Sequence, residues 1–302
     1  MRAFWLGVVN GNSHKASAFR ALTGSRIVND SKRTFYVRNR SLRPIVRRKV
    51  VSRSVVPANN VKGPIVQARR KGSYGVDAPY LLPVLGALLA ANIVQGIVSG
   101  SVGPFVGAAI LLACGACGLY ASRRGKFVVW SELLDELKLR GSERILDLGC
   151  GRGAVLLLAA ERLTTGTAVG VDLWRRKDQS GNSPEATRRN AIAEGVANRV
   201  ELHTADMTAL PFEADSFDIV VSSIAIHNIK GPASREQAID EAVRVLRAGG
   251  RLLIADLWGT RRYQSHLTKL GMLDVARRNL GWRMWWGGPW VATRLVTATK
   301  PK

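Results

Sequence analysis

The residues best placed to do chemistry are acids that follow strand-like runs. Ile145-Leu146-Asp147-Leu148-Gly149-Cys150-Gly151-Arg152-Gly153 reads as a buried strand that turns through glycines into a helix. Such a turn brings backbone N–H groups close to a ligand. Asp147 stands two residues before the first glycine, so its carboxylate faces the loop. A pyrophosphate there is repelled, whereas a ligand bearing an ammonium and a sulfonium is favoured. Gly149-x-Gly151-x-x-Ala154 taken alone also fits a dinucleotide fingerprint. The Gly-x-Gly-x-Gly turn and the acid before it argue otherwise. A second strand ends at Asp172, 19 residues after Gly153, where an acid at a strand tip can accept both hydroxyls of a ribose. Leu173 beside it suits a purine face. A third strand leads to Asp206, suited to accept from an exocyclic amine, with Met207 apolar beside it. Any one of these acids also serves as a helix cap or turn residue. Three at successive strand tips define a crevice.

The elements that must position them lie in residues 127–302. Apolar runs alternate there with helical patterns, which argues an α/β fold with a Rossmann-like, mostly parallel sheet. Strands are expected at 144–148, 168–172, 199–204, 217–223, 251–256, 273–280 and 291–299. Ser183-Pro184 reads as a helix start and Gly195 as its stop. Ala238, Ile239, Ala242, Val243 and Leu246 form one helical stripe, ended by Gly249-Gly250. No helix separates the last two runs, so they pair as a hairpin. The result is seven strands with an antiparallel last strand. His203, inside a strand, reads as core.

Two apolar runs precede this domain, at 81–98 and 104–120, with no charge in either. Each approaches the length of a bilayer core. With the short polar break between them, they read as a transmembrane hairpin within residues 77–126, the alternative being two buried helices of a soluble fold. Arg69, Arg70 and Lys71 precede it and Arg123, Arg124 and Lys126 follow, which puts both ends, and the catalytic domain, on one cytosol-like side. Small residues recur at four-residue spacing (Ala87/Ala91, Gly96/Gly100, Gly103/Gly107), which lets helices approach closely. Cys114 and Cys117 match C-x-x-C but lie mid-span with no basic neighbour, so they read as packing.

Charge sharpens this division. The chain of 302 residues carries 45 Lys+Arg against 22 Asp+Glu, a net +23. Residues 1–76 hold 17 bases and one acid, or +16; residues 77–126 hold 3 − 1 = +2; residues 127–302 hold 25 − 20 = +5. The acid-poor, Arg- and Ser-rich residues 1–76 read as a basic disordered leader, either an organellar (plastid or mitochondrial) transit peptide or an arm facing anionic lipid. Val66-Gln67-Ala68 loosely fits a plastid-type processing site. A near-balanced domain gives no reason to expect a nucleic-acid partner.

The run Arg144–Gly153, with Asp172, Asp206 and Leu246-Arg-Ala-Gly-Gly-Arg-Leu-Leu253, resembles the class I S-adenosylmethionine-dependent methyltransferases. The resemblance implies that Asp147, Gly149, Gly151 and Gly153 hold the methionine part of S-adenosylmethionine, Asp172 with Leu173 the ribose side, and Asp206 with Met207 the adenine. The segments Tyr74–Tyr80 and Ser122–Phe127 also resemble a bacterial-type subgroup with two membrane spans, which makes residues 1–72 an added leader. The fourth strand ends Ser222-Ser223-Ile224-Ala225-Ile226-His227-Asn228, similar to ubiquinone/menaquinone-type C-methyltransferases. That likeness puts Ser223 against the cofactor.

His227 falls near the substrate side and suits general base catalysis, or it merely bonds its own loop. No Asn/Asp-Pro-Pro-Tyr/Phe motif stands here, which argues against amino-methyltransferases of nucleic-acid bases. No His, Cys or acid cluster has metal spacing. Trp174 lies in a long loop where it caps the ligand or covers the sheet. Trp282, Trp285, Trp286 and Trp290 line an apolar mouth, rest at a membrane interface, or pack the hairpin. The expected activity is methyl transfer to a small lipophilic acceptor at a membrane. Nucleic-acid or protein methylation, a cofactor-binding scaffold without turnover, and a dehydrogenase are the rivals.

Overall fold

The computed structural model describes residues 27–30, 34–37 and 70–302. Strands β1 (Ile27–Asp30) and β2 (Thr34–Val37) pair antiparallel within a unit of their own, residues 1–63. No element was expected there. The β-branched and aromatic types in Ile27-Val28 and Thr34-Phe35-Tyr36-Val37 are the strand formers that pair. The Val66–Ala68 site and most of the leader lie outside the described residues.

Seven strands make the main sheet: β3 (Arg144–Leu148), β4 (Thr167–Asp172), β5 (Val200–Thr204), β6 (Phe217–Ser223), β7 (Leu246–Asp256), β8 (Leu273–Asn279) and β9 (Arg294–Thr299). Their order is β5-β4-β3-β6-β7-β9-β8. The first five are parallel; β9 runs antiparallel between β7 and β8. The chain moves outward from β3 through β4 and β5, then crosses to the other side through β6 and β7. That reversal opens a crevice at the carboxyl ends of β3 and β6. The central strands are buried on both faces, which is why they read as continuous apolar runs. Edge strand β5 is not, so His203 is 40% exposed rather than core, its ring edge-on to Phe212.

The helix over 184–193 starts and stops as its residues dictate. The Ser183 hydroxyl accepts from the Ala186 N–H, Pro184 takes the first position, and Gly195 follows at φ +74°. The helix Pro232–Val245 ends earlier than its stripe suggested. Leu246 is already extended and opens β7, yet stays fully buried, so the apolar period ran across the boundary. Lys300 Nζ donates to the carbonyls of Val243 and Leu246 there, a cationic cap on the helix end.

Helices α1 (Leu81–Ser99) and α2 (Gly103–Tyr120) form the expected pair. Two of the small residues make close contact. A Cβ on Gly96 would meet the Phe105 ring at 2.6 Å, and one on Gly107 the Asn92 side chain at 2.7 Å. Gly100 and Gly103 face open space. Both helices are long and apolar enough to cross a membrane, and among the described residues they stay largely uncovered: Ile97 is 70% and Val98 83% exposed. Helix α2 does not stop at the domain. It passes through one π turn, Ala121–Gly125, into α3 (Lys126–Glu136), whose Phe127, Trp130 and Leu134 enter the core.

Residues 70–80, partly assigned to the leader, pack on the domain. Arg70 pairs with Glu161 at 2.7 Å, Ser73 N–H donates to Asn190, and buried Tyr74 sets its ring edge-on to Phe127. Residues 70–76 thus belong to the same compact unit as the sheet.

Candidate active site

The crevice is the mouth of a cavity of about 860 Å³. Asp147, Gly149, Gly151, Asp172, Leu173, Asp206, Met207, Ser223 and His227 all line it. Gly153 does not. It caps the helix Ala154–Arg162 at φ +86° and packs against Leu157 and Thr187, so its role is to make the turn. Trp174 does not line it either; its indole donates to Thr204 and covers the sheet edge.

The glycine turn is fitted closely. Gly149 takes φ +73°, and a Cβ there would collide with Ala225. Gly151 takes φ +51°, and a Cβ would sit 2.6 Å from the Gln179 carboxamide oxygen. Two carboxylates face this turn. Asp172 accepts from the Gly151 N–H at 2.8 Å, the Trp174 N–H at 2.5 Å and Asn182 at 3.3 Å. Burial still pushes its pKa up against those bonds. Asp147 is buried and neither oxygen has a hydrogen-bond partner. Burial pushes its pKa up to about 7, with the Asp172 charge adding to the effect. The Leu156 N–H offsets part of that without reaching hydrogen-bond geometry. An orphaned buried carboxylate beside N–H donors calls for a cationic partner. Asp206 holds a local turn, accepting from the Thr208 N–H and hydroxyl.

On the other side, Ser223 accepts from the Trp130 indole at 2.8 Å. Ile224 then takes φ +55°, a strained conformation for a β-branched residue, held by its N–H bond to Ala255. The turn brings His227 against Asp256. His227 Nδ1 lies 2.5 Å from one carboxylate oxygen, and its backbone N–H donates to the other at 3.0 Å. Asp256 is fully buried and also accepts from the Leu257 N–H. With Nδ1 engaged, Nε2 is the nitrogen left for a ligand.

Residues 146–254 match the family model described as a methyltransferase domain. Curated relatives are similar over 40 to 48% of the chain. The ubiquinone/menaquinone biosynthesis C-methyltransferase of Roseobacter denitrificans is 33% identical over 129 residues, 42% of this chain and 48% of that protein. The sterol 4-C-methyltransferase of Caenorhabditis elegans is 30% identical over 151 residues, 48% and 41% of the two chains. The 27-O-demethylrifamycin SV methyltransferase of Amycolatopsis mediterranei is 33% identical over 123 residues, 40% of each. This chain thus spans less than half the length of these relatives. Among solved structures, the YcgJ protein from Bacillus superposes with TM-score 0.45 at 18% identity, over 58% of this chain and 98% of that one.

Sequence reasoning missed three contributors to this site. Asp256 ends a strand at the same sheet edge as the acids that were found, so the same signal applied to it. Asp77 is the only acid between Asp30 and Glu132. Its carboxylate accepts from Lys126 and Ser122 at 2.7 Å and from Gln179 at 2.9 Å. Gln179 in turn accepts from the Arg152 N–H of the glycine turn. One carboxylate therefore ties the base of the helical hairpin to the loop over the crevice. The long-range partners of Gln179 leave no local sequence signal.

Proposed function

We propose that this protein is a membrane-anchored S-adenosylmethionine-dependent methyltransferase acting on a small lipophilic acceptor. The observation that carries the cofactor is Asp147, a buried carboxylate with no partner, beside a glycine turn too tight for any side chain. It suits an ammonium. Asp172 and Asp206 suit ribose hydroxyls and an exocyclic amine, and Leu173 and Met207 offer apolar contact to a purine. S-Adenosylmethionine supplies, when bound, an electrophilic methyl group on a sulfonium.

The protein's own work is then mostly placement, since in-line displacement needs the acceptor atom about 3 Å from the methyl. The acceptor atom forms the new bond to carbon, and the electrons of the C–S bond stay on sulfur. Where the acceptor must lose a proton, His227 Nε2 takes it. Asp256 holds the ring in the tautomer with hydrogen on Nδ1 and stabilises the resulting imidazolium. Relatives that methylate carbon and oxygen are both compatible with such a base.

The membrane reading rests on α1 and α2, two uncharged helices that stay largely uncovered among the described residues. Trp282, 60% exposed, stacks on Tyr120 at the hairpin base where an interfacial belt belongs, and Trp290 in the same loop is 68% exposed. Incubating membrane extract with methyl-labelled cofactor and the purified protein tests the whole reading. The expected product is one labelled lipid-extractable compound. Label found only in protein or nucleic acid would overturn it.

A further inference from the structure

The cavity is larger than the cofactor crevice and does not end at His227. Its far wall is the base of the helical hairpin: Leu81 and Leu85 on α1, and Cys114, Gly115 and Gly118 on α2, with Trp286 facing them. We infer that the acceptor is an amphiphile whose apolar chain lies along this wall while its reactive head sits beside His227. The inference rests on the methyltransferase reading of the same site and names what that site takes.

The chemistry of the two ends differs. The crevice end carries Asp147, Asp172 and Asp206, whereas no residue from Leu81 to Tyr120 bears a charge. A polar group placed against Leu81, Leu85, Gly115 and Gly118 gains no side-chain partner from them, and Asp77 and Lys126 at the hairpin base are already paired with each other at 2.7 Å, so hydrocarbon is the occupant that fits. The wall is also indented. A Cβ built on Gly115 meets only Leu85, at 3.9 Å, so the absent side chain leaves usable space. At Gly118 a Cβ would stand 2.9 Å from the Trp286 carbonyl, so there the helix closes onto the tryptophan loop and seals one side. Residues Leu81 to Leu85 give the wall about 6 Å of length along the helix axis.

Position supports the same occupant. The wall lies where α2 enters the domain, and Tyr120 stacks on Trp282 at 5.2 Å beside it. Aromatic residues at this level mark the boundary between lipid and water in a spanning protein. An amphiphile resident in the bilayer would reach His227 head first, its chain passing from lipid to the hairpin wall without crossing water. A bilayer lipid resting its acyl chain in the groove, or a second copy of this chain covering it, are the competing occupants.

The probe series is 4-alkylphenols with chains of two to ten carbons, bound to the full chain in nanodiscs and corrected against empty nanodiscs. Binding is read without turnover, beside the affinity for S-adenosylmethionine. The wild-type protein should gain affinity with each added methylene, by at most about fourfold, the transfer worth of one buried CH₂. The gain should level off once the chain outruns the wall. Gly115→Leu should flatten the series and leave cofactor affinity intact; Leu85→Trp serves the same purpose if the first variant does not fold. Affinity independent of chain length in the wild type, or an identical series in both variants, overturns the inference, as a permanently seated lipid or a covering second copy would produce. Failure of the wild type to bind the cofactor would strike the methyltransferase reading instead, and the chain-length series would still decide the groove.

Discussion

Asp147→Asn should stabilise the unliganded protein while crippling it. The side chain is fully buried without a hydrogen-bond partner, and its pKa rises from an ordinary 3.8 to about 7. Each tenfold change in that equilibrium is worth about 1.4 kcal/mol, so keeping the carboxylate ionised costs the fold about 4 kcal/mol. Between those two values the folded chain holds a proton that the unfolded chain releases. Stability therefore falls as pH rises from about 4 to about 7, and levels off above that. The asparagine has no proton to release, so the variant should not show this loss. Thermal unfolding without ligand at pH 5 and pH 8 is the assay: the wild type should lose much more of its Tm between them than the variant. Cofactor binding should show the opposite trend. If the ammonium needs the carboxylate, wild-type affinity rises about tenfold from pH 6 to pH 8 for a group titrating near 7. The variant should bind roughly 10- to 100-fold more weakly, the worth of a charge-assisted hydrogen bond, with no such rise. Equal pH slopes of Tm in the two proteins would refute the reasoning about burial. An unchanged cofactor affinity would refute the role given to the carboxylate.

Other predictions concern the remaining groups. His227→Gln should lower kcat by roughly 10²- to 10⁴-fold with cofactor affinity unchanged; unaltered kcat would show that the acceptor needs no base. Asp256→Asn should lower kcat less than that and shift its pH profile, because the residue acts through His227. Asp77→Ala leaves Lys126, 5% exposed, as a buried charge without its partner. It should cost up to about 3 kcal/mol, less than a fully buried pair because Asp77 is 23% exposed. Adding Lys126→Met should recover most of the Tm in that case, and the double variant should still bind cofactor more weakly because Gln179 has lost its tether. Recovery of both properties would separate the hairpin from the cofactor loop.

Much of the sheet was legible because its strands are buried on both faces and leave continuous apolar runs. Arg144–Leu148 and Phe217–Ser223 match the expected spans, and the missing helix between the last two runs gave away the β8–β9 pair. Boundaries were less legible where apolar period crossed from one element to the next. Leu246 stays in the stripe of its helix although its backbone is extended, and α2 runs unbroken through residue 126 into the domain. In the site, Asp147, Asp172 and Asp206 stood out because strand tips at one sheet edge are a local signal. The side chains that brace the site did not, since Gln179 reaches Arg152 across 27 residues, Trp130 reaches Ser223 across 93 and Asp77 reaches Gln179 across 102. Gly153 falls outside the cavity lining although it shares the motif of Gly149 and Gly151, because turn-making and ligand-contacting glycines look alike in sequence.

The most direct test of the central claim is calorimetric titration of the full chain in nanodiscs with S-adenosylmethionine and, separately, with NADH. The account predicts one saturable site for S-adenosylmethionine, lost in a folded Asp172→Ala variant, and no site for NADH. Tight NADH binding with none of S-adenosylmethionine, or normal binding by the Asp172→Ala variant, would contradict it.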